Sequence, residues 1–362
     1  MIECRIVNVG KGRNGKNRYW CIEHYAPAFD KNGNKLEKCR AKKRKIDVED
    51  ENFCIMPSDY PGGVALWGST LAVYDTTPFP VTNGIHVHAR KVVGGEKQID
   101  RTFDSVKVII NGHIAMFSKE AAVYYLCANV LNQHMEYVDC PHCGSPHLDK
   151  DRYAVIPHKK HLCISCGHYF YTKSKCIGNP IVREKQVLGD DQIFRKIIHP
   201  NRSLEIMQRD FPYGISLWGS TGAFLWTAKK PEEYGIHVHA YKENTMKPSI
   251  DETYDMVTID GITLNIEHIR MYMVQNTLPY LQNCLMVIKC KECGETLFDD
   301  GENAFIPSKQ HICKKCGCVN ITGKKIISNP AINTLNELSL FSGLPRKNIC
   351  IQELYPDLID WE

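Results

Sequence analysis

Residues 62–75 read GGVALWGSTLAVYD, and residues 213–226 read YGISLWGSTGAFLW. The same offset, 151 residues, continues outward: GIHVHARK at 84–91 meets GIHVHAYK at 235–242, and IDRTFDSV at 99–106 meets IDETYDMV at 250–257. After a slip of one residue, CPHCG (140–144) and CISCG (163–167) meet CKECG (290–294) and CKKCG (313–317). CIGNP at 176–180 is then echoed by IISNP at 326–330. Self-similarity at a fixed period marks a repeated structural unit, so the chain reads as an internal tandem repeat.

The expected organisation is a basic amino-terminal segment (1–55), copy one (56–182), a charged connection (183–208), copy two (209–332) and an acidic carboxyl-terminal tail (333–362). Within a copy, VALWGS and GIHVHA are short runs of apolar and β-branched residues with alternating faces, which predicts strands. Asn111-Gly112 predicts a hairpin turn after DSVKVII, and Ser118 predicts the cap of an amphipathic helix over KEAAVYYLCANVLNQH. In copy two the matching helix is expected near 267–283, interrupted at Pro279. The class is α+β, each copy a strand-rich unit with a helix leading into a cysteine module.

The chain has 362 residues, 43% of them apolar and 24% charged, the values of a folded globular protein. No apolar run is long enough to span a bilayer, and MIECRIVNVGKGRNGKNRYW lacks the apolar centre of a secretory signal. A cytoplasmic protein without membrane association is therefore expected. Seventeen cysteines in a chain of this length, eight of them in Cys-x2-Cys pairs, point to metal rather than to a disulfide scaffold. The net charge of +4 is too small to imply nucleic acid by itself, but the basic run Lys42, Lys43, Arg44, Lys45 is a candidate phosphate contact.

Cys140, Cys143, Cys163 and Cys166 have the spacing Cys-x2-Cys-x19-Cys-x2-Cys, and so do Cys290, Cys293, Cys313 and Cys316. Two residues between cysteines let both thiolates reach one tetrahedral ion, and the loop brings the second pair round to close the shell. Each second cysteine is followed by glycine, which permits the positive φ of a tight knuckle. A complete four-thiolate shell has no open position, so these sites are expected to hold two structural zinc ions. The two stretches, about 139–170 and 289–320, resemble zinc ribbons in general, a resemblance that implies a module rather than an activity. His142, His158, His161, His168 and His311 are surplus to the shells and expected at the surface. Cys21, His24, Cys39 and Cys54 offer ligands for a third metal site, set against ordinary thiols.

In an extended strand, residues two apart share a face. His86 and His88, and again His237 and His239, therefore point away from the core-facing Ile85, Val87 and Ala89 or Ile236, Val238 and Ala240, and line a groove. Imidazole pairs bind transition metals, move protons or donate to phosphate. Carboxylates are at hand in Asp100 and Asp104, and in Asp251 and Asp255; the expected catalytic set is His86, His88, His237, His239, Asp104 and Asp255. The Gly-Ser-Thr turns after Trp67 and Trp218 offer amides and hydroxyls to an anion. Arg101 beside Asp100 and Glu252 beside Asp251 suggest that copy two handles a metal or proton and copy one an anion.

These modules point first to a zinc protein that binds nucleic acid or a nucleotide. Lys159, Lys160, Lys173 and Lys175 with Tyr169, Phe170 and Tyr171 supply the basic and aromatic mixture on the first ribbon. The alternative is a hydrolase acting on a nucleotide or nucleic acid through the histidine–aspartate groups. A second alternative is a zinc-stabilised scaffold for a protein partner.

Overall fold

A computed structural model describes residues 6–11, 16–21, 26–30, 32–37, 52–79, 83–189, 196–220 and 222–342. The chain divides into two compact units, Met1–Ile46 and Asp47–Glu362. The smaller holds an antiparallel sheet of Ile6–Lys11, Asn17–Cys21 and Ala26–Pro27. The larger is a mixed α+β, strand-rich body with few helices, and its first half (52–189) and second half (196–342) are described in turn.

In the first half the strands Gly63–Ser69, Gly84–Arg90 and Ile99–Phe103 pair antiparallel in that order. In the second half Ile215–Gly219, Ile236–Ala240 and Ile250–Tyr254 do the same. Each sheet gains its fourth strand from the other half. Leu225–Trp226 pairs with Gly63–Ser69, and Tyr74–Asp75 pairs with Ile215–Gly219. The exchange buries large side chains in the opposite core: Phe224 and Leu225 lie among first-half residues such as Phe117 and Tyr125, and Val73 and Tyr74 among second-half residues such as Leu217 and Val257. Each such side chain contributes roughly 1.5–3 kcal/mol of burial, so the halves are energetically interdependent.

A second sheet in each half carries a parallel entry strand. Asn52–Ile55 runs parallel to Ser105–Ile110, which turns back into His113–Ser118, and Ser203–Ile206 runs parallel to Met256–Ile259, which turns back into Ile262–Asn265. The first hairpin closes on Asn111 and Gly112, both at positive φ (51° and 79°), as a two-residue turn requires. The entry strands lie within the stretches expected as the amino-terminal segment and the connection, because their polar-looking sequences still alternate enough to pair.

Ser118 caps the helix Lys119–Val130 by accepting from the Ala121 amide. That helix is not amphipathic as expected: Ala121 to Ala128 are all buried, because it lies between both cores. Its counterpart, Ile266–Thr277, is capped by Asn265 and breaks at Leu278 before the short Pro279–Gln282 turn. The tail begins as a helix, Ala331–Ser342, whose Leu335 and Leu338 are buried; the acidic residues beyond it lie outside the described residues, as do Lys42 to Lys45. No described helix is long and apolar enough to cross a membrane.

Candidate metal centres

Each cysteine module is a three-stranded sheet with two cysteine knuckles. The first combines Met135–Glu136, Tyr169–Gly178 and His158–Leu162; the second combines Leu285–Met286, Val319–Ser328 and Ser308–Ile312. Gly144, Gly167, Gly294 and Gly317 all adopt φ between 70° and 75°, and each donates its amide to the carbonyl of the first cysteine of its pair. The sulfurs of Cys140 and Cys166 stand 3.7 Å apart and those of Cys143 and Cys163 3.6 Å; Cys290–Cys316 and Cys293–Cys313 are both 3.6 Å. Tetrahedral zinc with bonds of about 2.3 Å needs sulfurs about 3.8 Å apart, whereas a disulfide needs about 2.05 Å. Two four-cysteine clusters thus stand at a geometry compatible with zinc.

The His-x-His strands converge on Asp100 and Asp251, two of the four carboxylates expected nearby, and not on Asp104 or Asp255. Cross-strand register places His88 opposite Asp100 and His86 opposite Thr102, and in the second half His239 opposite Asp251 and His237 opposite Thr253. Asp104 and Asp255 fall one position beyond the strand ends. Asp104 instead pairs with Lys119, and Asp255 with His199 and the Arg202 amide. The readable signal was Asp-x-Thr, repeated at 100–102 and 251–253, which matches His-x-His in an antiparallel register.

The two triads have the same shape. His86 Nε2 and His88 Nε2 are 2.9 Å apart, and each is 3.1 Å from Asp100 Oδ1. His237 Nε2 and His239 Nε2 are 3.0 Å apart, and each is 3.3 Å from Asp251 Oδ1. Ions with bonds of about 2.1 Å to nitrogen and oxygen set their ligand atoms about 3.0–3.4 Å apart. Thr102 and Thr253 stand 3.0 and 3.1 Å from Nδ1 of His86 and His237, placed so that accepting the Nδ1 hydrogen would leave the Nε2 lone pair to ligate. Asp251 Oδ1 is buried and faces the Nε2 atoms of His237 and His239, an oxygen placed to share a cation with them.

Burial lowers His88 to about 3 and His237 to about 4, so both are neutral at physiological pH. Burial raises Asp100 and Asp251, but the adjoining imidazoles outweigh it and hold both carboxyls far below the usual range. Lys97, which sequence reasoning passed over, joins the triads. Its ammonium is 2.8 Å from Asp100 Oδ2 and 3.3 Å from His88 Nε2, and it pairs with Asp251 Oδ2. The two triads and one lysine therefore form a single composite site across the halves.

The charged neighbours on which the expected division of labour rested do not face the triads. Arg101 and Glu252 alternate onto the opposite face, Arg101 over the Phe103 ring and Glu252 with Arg202. Trp67 and Trp218 pack edge-on against His88 and His239 at 4.8 and 4.9 Å, walls of the site rather than open platforms. Gly68 and Gly219 are demanded by helix packing rather than anion binding: a Cβ there would lie 2.5 Å from the Ala122 carbonyl oxygen or 2.8 Å from Arg270 Cα. Thr221 lies outside the described residues.

His161 and His311, expected at the surface, are buried, and so is Phe170. Tyr169 and Tyr171 on alternate positions are exposed. Of the suggested third metal set, His24 and Cys39 lie outside the described residues; Cys21 ends a strand of the smaller unit, and Cys54 is exposed on the larger. No protein-family model, curated protein or solved structure matches the chain.

Proposed function

We propose that the chain is a metal-dependent hydrolase of phosphodiester bonds in nucleic acid or nucleotides, built from a duplicated unit and braced by two structural zinc ribbons. The observation that supports it is the convergence of two His2Asp sets, each with three lone-pair atoms 2.9–3.3 Å apart, on either side of Lys97. Three protein ligands leave coordination positions for water and substrate, unlike the closed cysteine shells. His86, His88 and Asp100, and His237, His239 and Asp251, would hold a divalent ion, which when bound would supply Lewis-acid polarisation and a more acidic water.

The chain's own groups divide the remaining work. Asp100 and Asp251 hold negative charge, the threonines hold the imidazole tautomers, and Lys97 offers positive charge to the phosphoryl oxygens as charge develops on them. Hydrolysis adds water across one P–O bond: the water oxygen bonds to phosphorus, and its proton ends on the departing alkoxide. Duplication is supported by the recurring sequence blocks and by the equal geometry of the triads. The thiols suit a reducing cytoplasm, since the described cysteines from Cys54 to Cys318 are free.

A metal-replete chain is expected to cleave bis(p-nitrophenyl) phosphate or a panel of single- and double-stranded DNA and RNA. His237→Ala with His239→Ala should abolish cleavage while the four-cysteine zincs stay. Cleavage absent on every substrate with both triads loaded would overturn the proposal, and iron as the resident ion would turn it toward oxygen chemistry.

A second reading, nucleic-acid binding without catalysis, is favoured by the first ribbon. Tyr169 and Tyr171 are 57% and 71% exposed, with the Lys160 ammonium 4.2 Å from the Tyr169 ring centre. The second ribbon carries Val319 and Ile321 at those positions, so binding would be one-sided and steeply salt-dependent.

A further inference from the structure

Beneath the first cysteine cluster lies a group of side chains that the proposed hydrolase does not use. His147, Asp149 and His161 are 3%, 5% and 0% exposed, and His158 adjoins them. His147 Nε2 is 2.8 Å and His158 Nε2 3.2 Å from Asp149 Oδ1, and His161 Nδ1 is 3.1 Å from Asp149 Oδ2. We infer that His147, Asp149, His158 and His161 form a further metal centre, a closed site of three nitrogens and one carboxylate for a divalent transition ion, zinc by its donor set.

Hydrogen placement carries the inference. His158 Nδ1 lies 2.8 Å from the Ile156 carbonyl and must donate to it, so its Nε2 presents a lone pair to Asp149. The Thr172 hydroxyl gives its hydrogen to the Ser174 carbonyl at 2.7 Å. It therefore accepts from His161 Nε2 at 3.2 Å, and His161 Nδ1 also presents a lone pair to Asp149. Asp149 Oδ2 is already an acceptor, taking the Gly178 amide at 2.7 Å. Two bare nitrogens facing one carboxylate repel it. Protonating His158 alone would still leave the His161 Nδ1 lone pair against Asp149, and protonating both would set two imidazoliums with ring centres 4.4 Å apart on that single carboxylate, nearly out of water. One divalent cation relieves this: His147, Asp149 and His161 bring ligand atoms within 4.8 Å of one another, and His158 Nε2 adjoins them at 3.2 Å from Asp149 Oδ1.

The second half provides the comparison. There Asp299 and His311 persist, with the Ser328 amide on Asp299 Oδ2 and a single close pair at 2.8 Å. Leu297, Ser308 and Ile326 stand where the first half has His147, His158 and Cys176. One imidazole with one carboxylate is satisfied by a proton alone. Gly178 shows the first half making room for the extra ring: a Cβ there would lie 2.7 Å from His147 Cδ2, and the second half has Ser328 instead. Asp149 and His161 thus keep a shared structural pairing, to which the first half adds two further ligands.

The test replaces His147→Leu together with His158→Ser, the residues the second half already accommodates. Metal is counted by plasma mass spectrometry on the full chain purified without chelator. The variant is expected to hold one ion fewer per chain than wild type, with the thiolate-to-metal charge-transfer bands of both cysteine clusters unchanged after cobalt exchange. An unchanged ion count in the folded variant overturns the inference. If the variant does not accumulate in folded form, the wild-type crystal decides: an anomalous peak at the zinc edge beside Asp149 Oδ1 supports the centre, and its absence in a crystal with occupied cysteine clusters overturns it.

Discussion

Thr253→Val removes one hydroxyl from a side chain that is 8% exposed and leaves its volume almost unchanged. That hydroxyl stands 3.1 Å from His237 Nδ1 and, by accepting its hydrogen, would hold the imidazole in the tautomer whose Nε2 lone pair points toward His239 and Asp251. Without it, the ring is free to place its hydrogen on Nε2, where an ion would bind. Losing such an outer hydrogen bond weakens metal binding by about 10–100-fold, or roughly 1.4–2.7 kcal/mol. The fold itself loses one neutral hydrogen bond, about 0.5–1.5 kcal/mol, partly offset by valine's fitness for a strand. Competition against a chelating dye, read on protein whose cysteine clusters are filled, should show one weakened site. The first-half triad keeps Thr102 and should be unchanged, and Thr253→Ser should restore most of the loss. Unaltered affinity would refute the tautomer argument. Equal weakening of both triads would refute it too, by showing that the effect travels through Lys97 or the whole fold.

Cys163→Ser and Cys313→Ser should each remove one zinc and unfold only the ribbon concerned, since metal binding at such sites is coupled to local folding; limited proteolysis maps the loss. Phe224→Ala, which truncates a side chain 1% exposed in the first-half core, should destabilise by about 3–5 kcal/mol, and denaturant unfolding measures it. The same exchange predicts that residues 47–189 and 196–362 fold poorly apart but associate when mixed, which size-exclusion chromatography would show. With folded values of about 3 for His88 and about 4 for His237, against about 6.5 unfolded, acid is taken up first by the unfolded chain. Their contribution to stability is complete above about pH 6.5 and is lost as pH falls toward 4 and then 3. A urea midpoint lower at pH 4.5 than at pH 7 is expected, with a smaller drop in a chain lacking both histidines.

Periodicity and spacing were enough for the local features. Cys-x2-Cys pairs nineteen residues apart specify a cluster because the ligands are set by the covalent chain and a two-residue knuckle. Asn111-Gly112 specifies a hairpin because both residues tolerate positive φ, and Ser118 specifies a helix start because its hydroxyl meets an amide three residues on. Alternation likewise put the four histidines on one face of their strands. Choosing between Asp100 and Asp104 needed the cross-strand register, which depends on how two strands of separate sequence slide against each other. Lys97 between the triads, the exchange of Tyr74 and Leu225 between halves, and the gathering of His147, His158 and His161 on Asp149 came only from the tertiary structure. These contacts join residues that are near in space for reasons of packing, and neither residue type nor spacing along the chain encodes packing between segments.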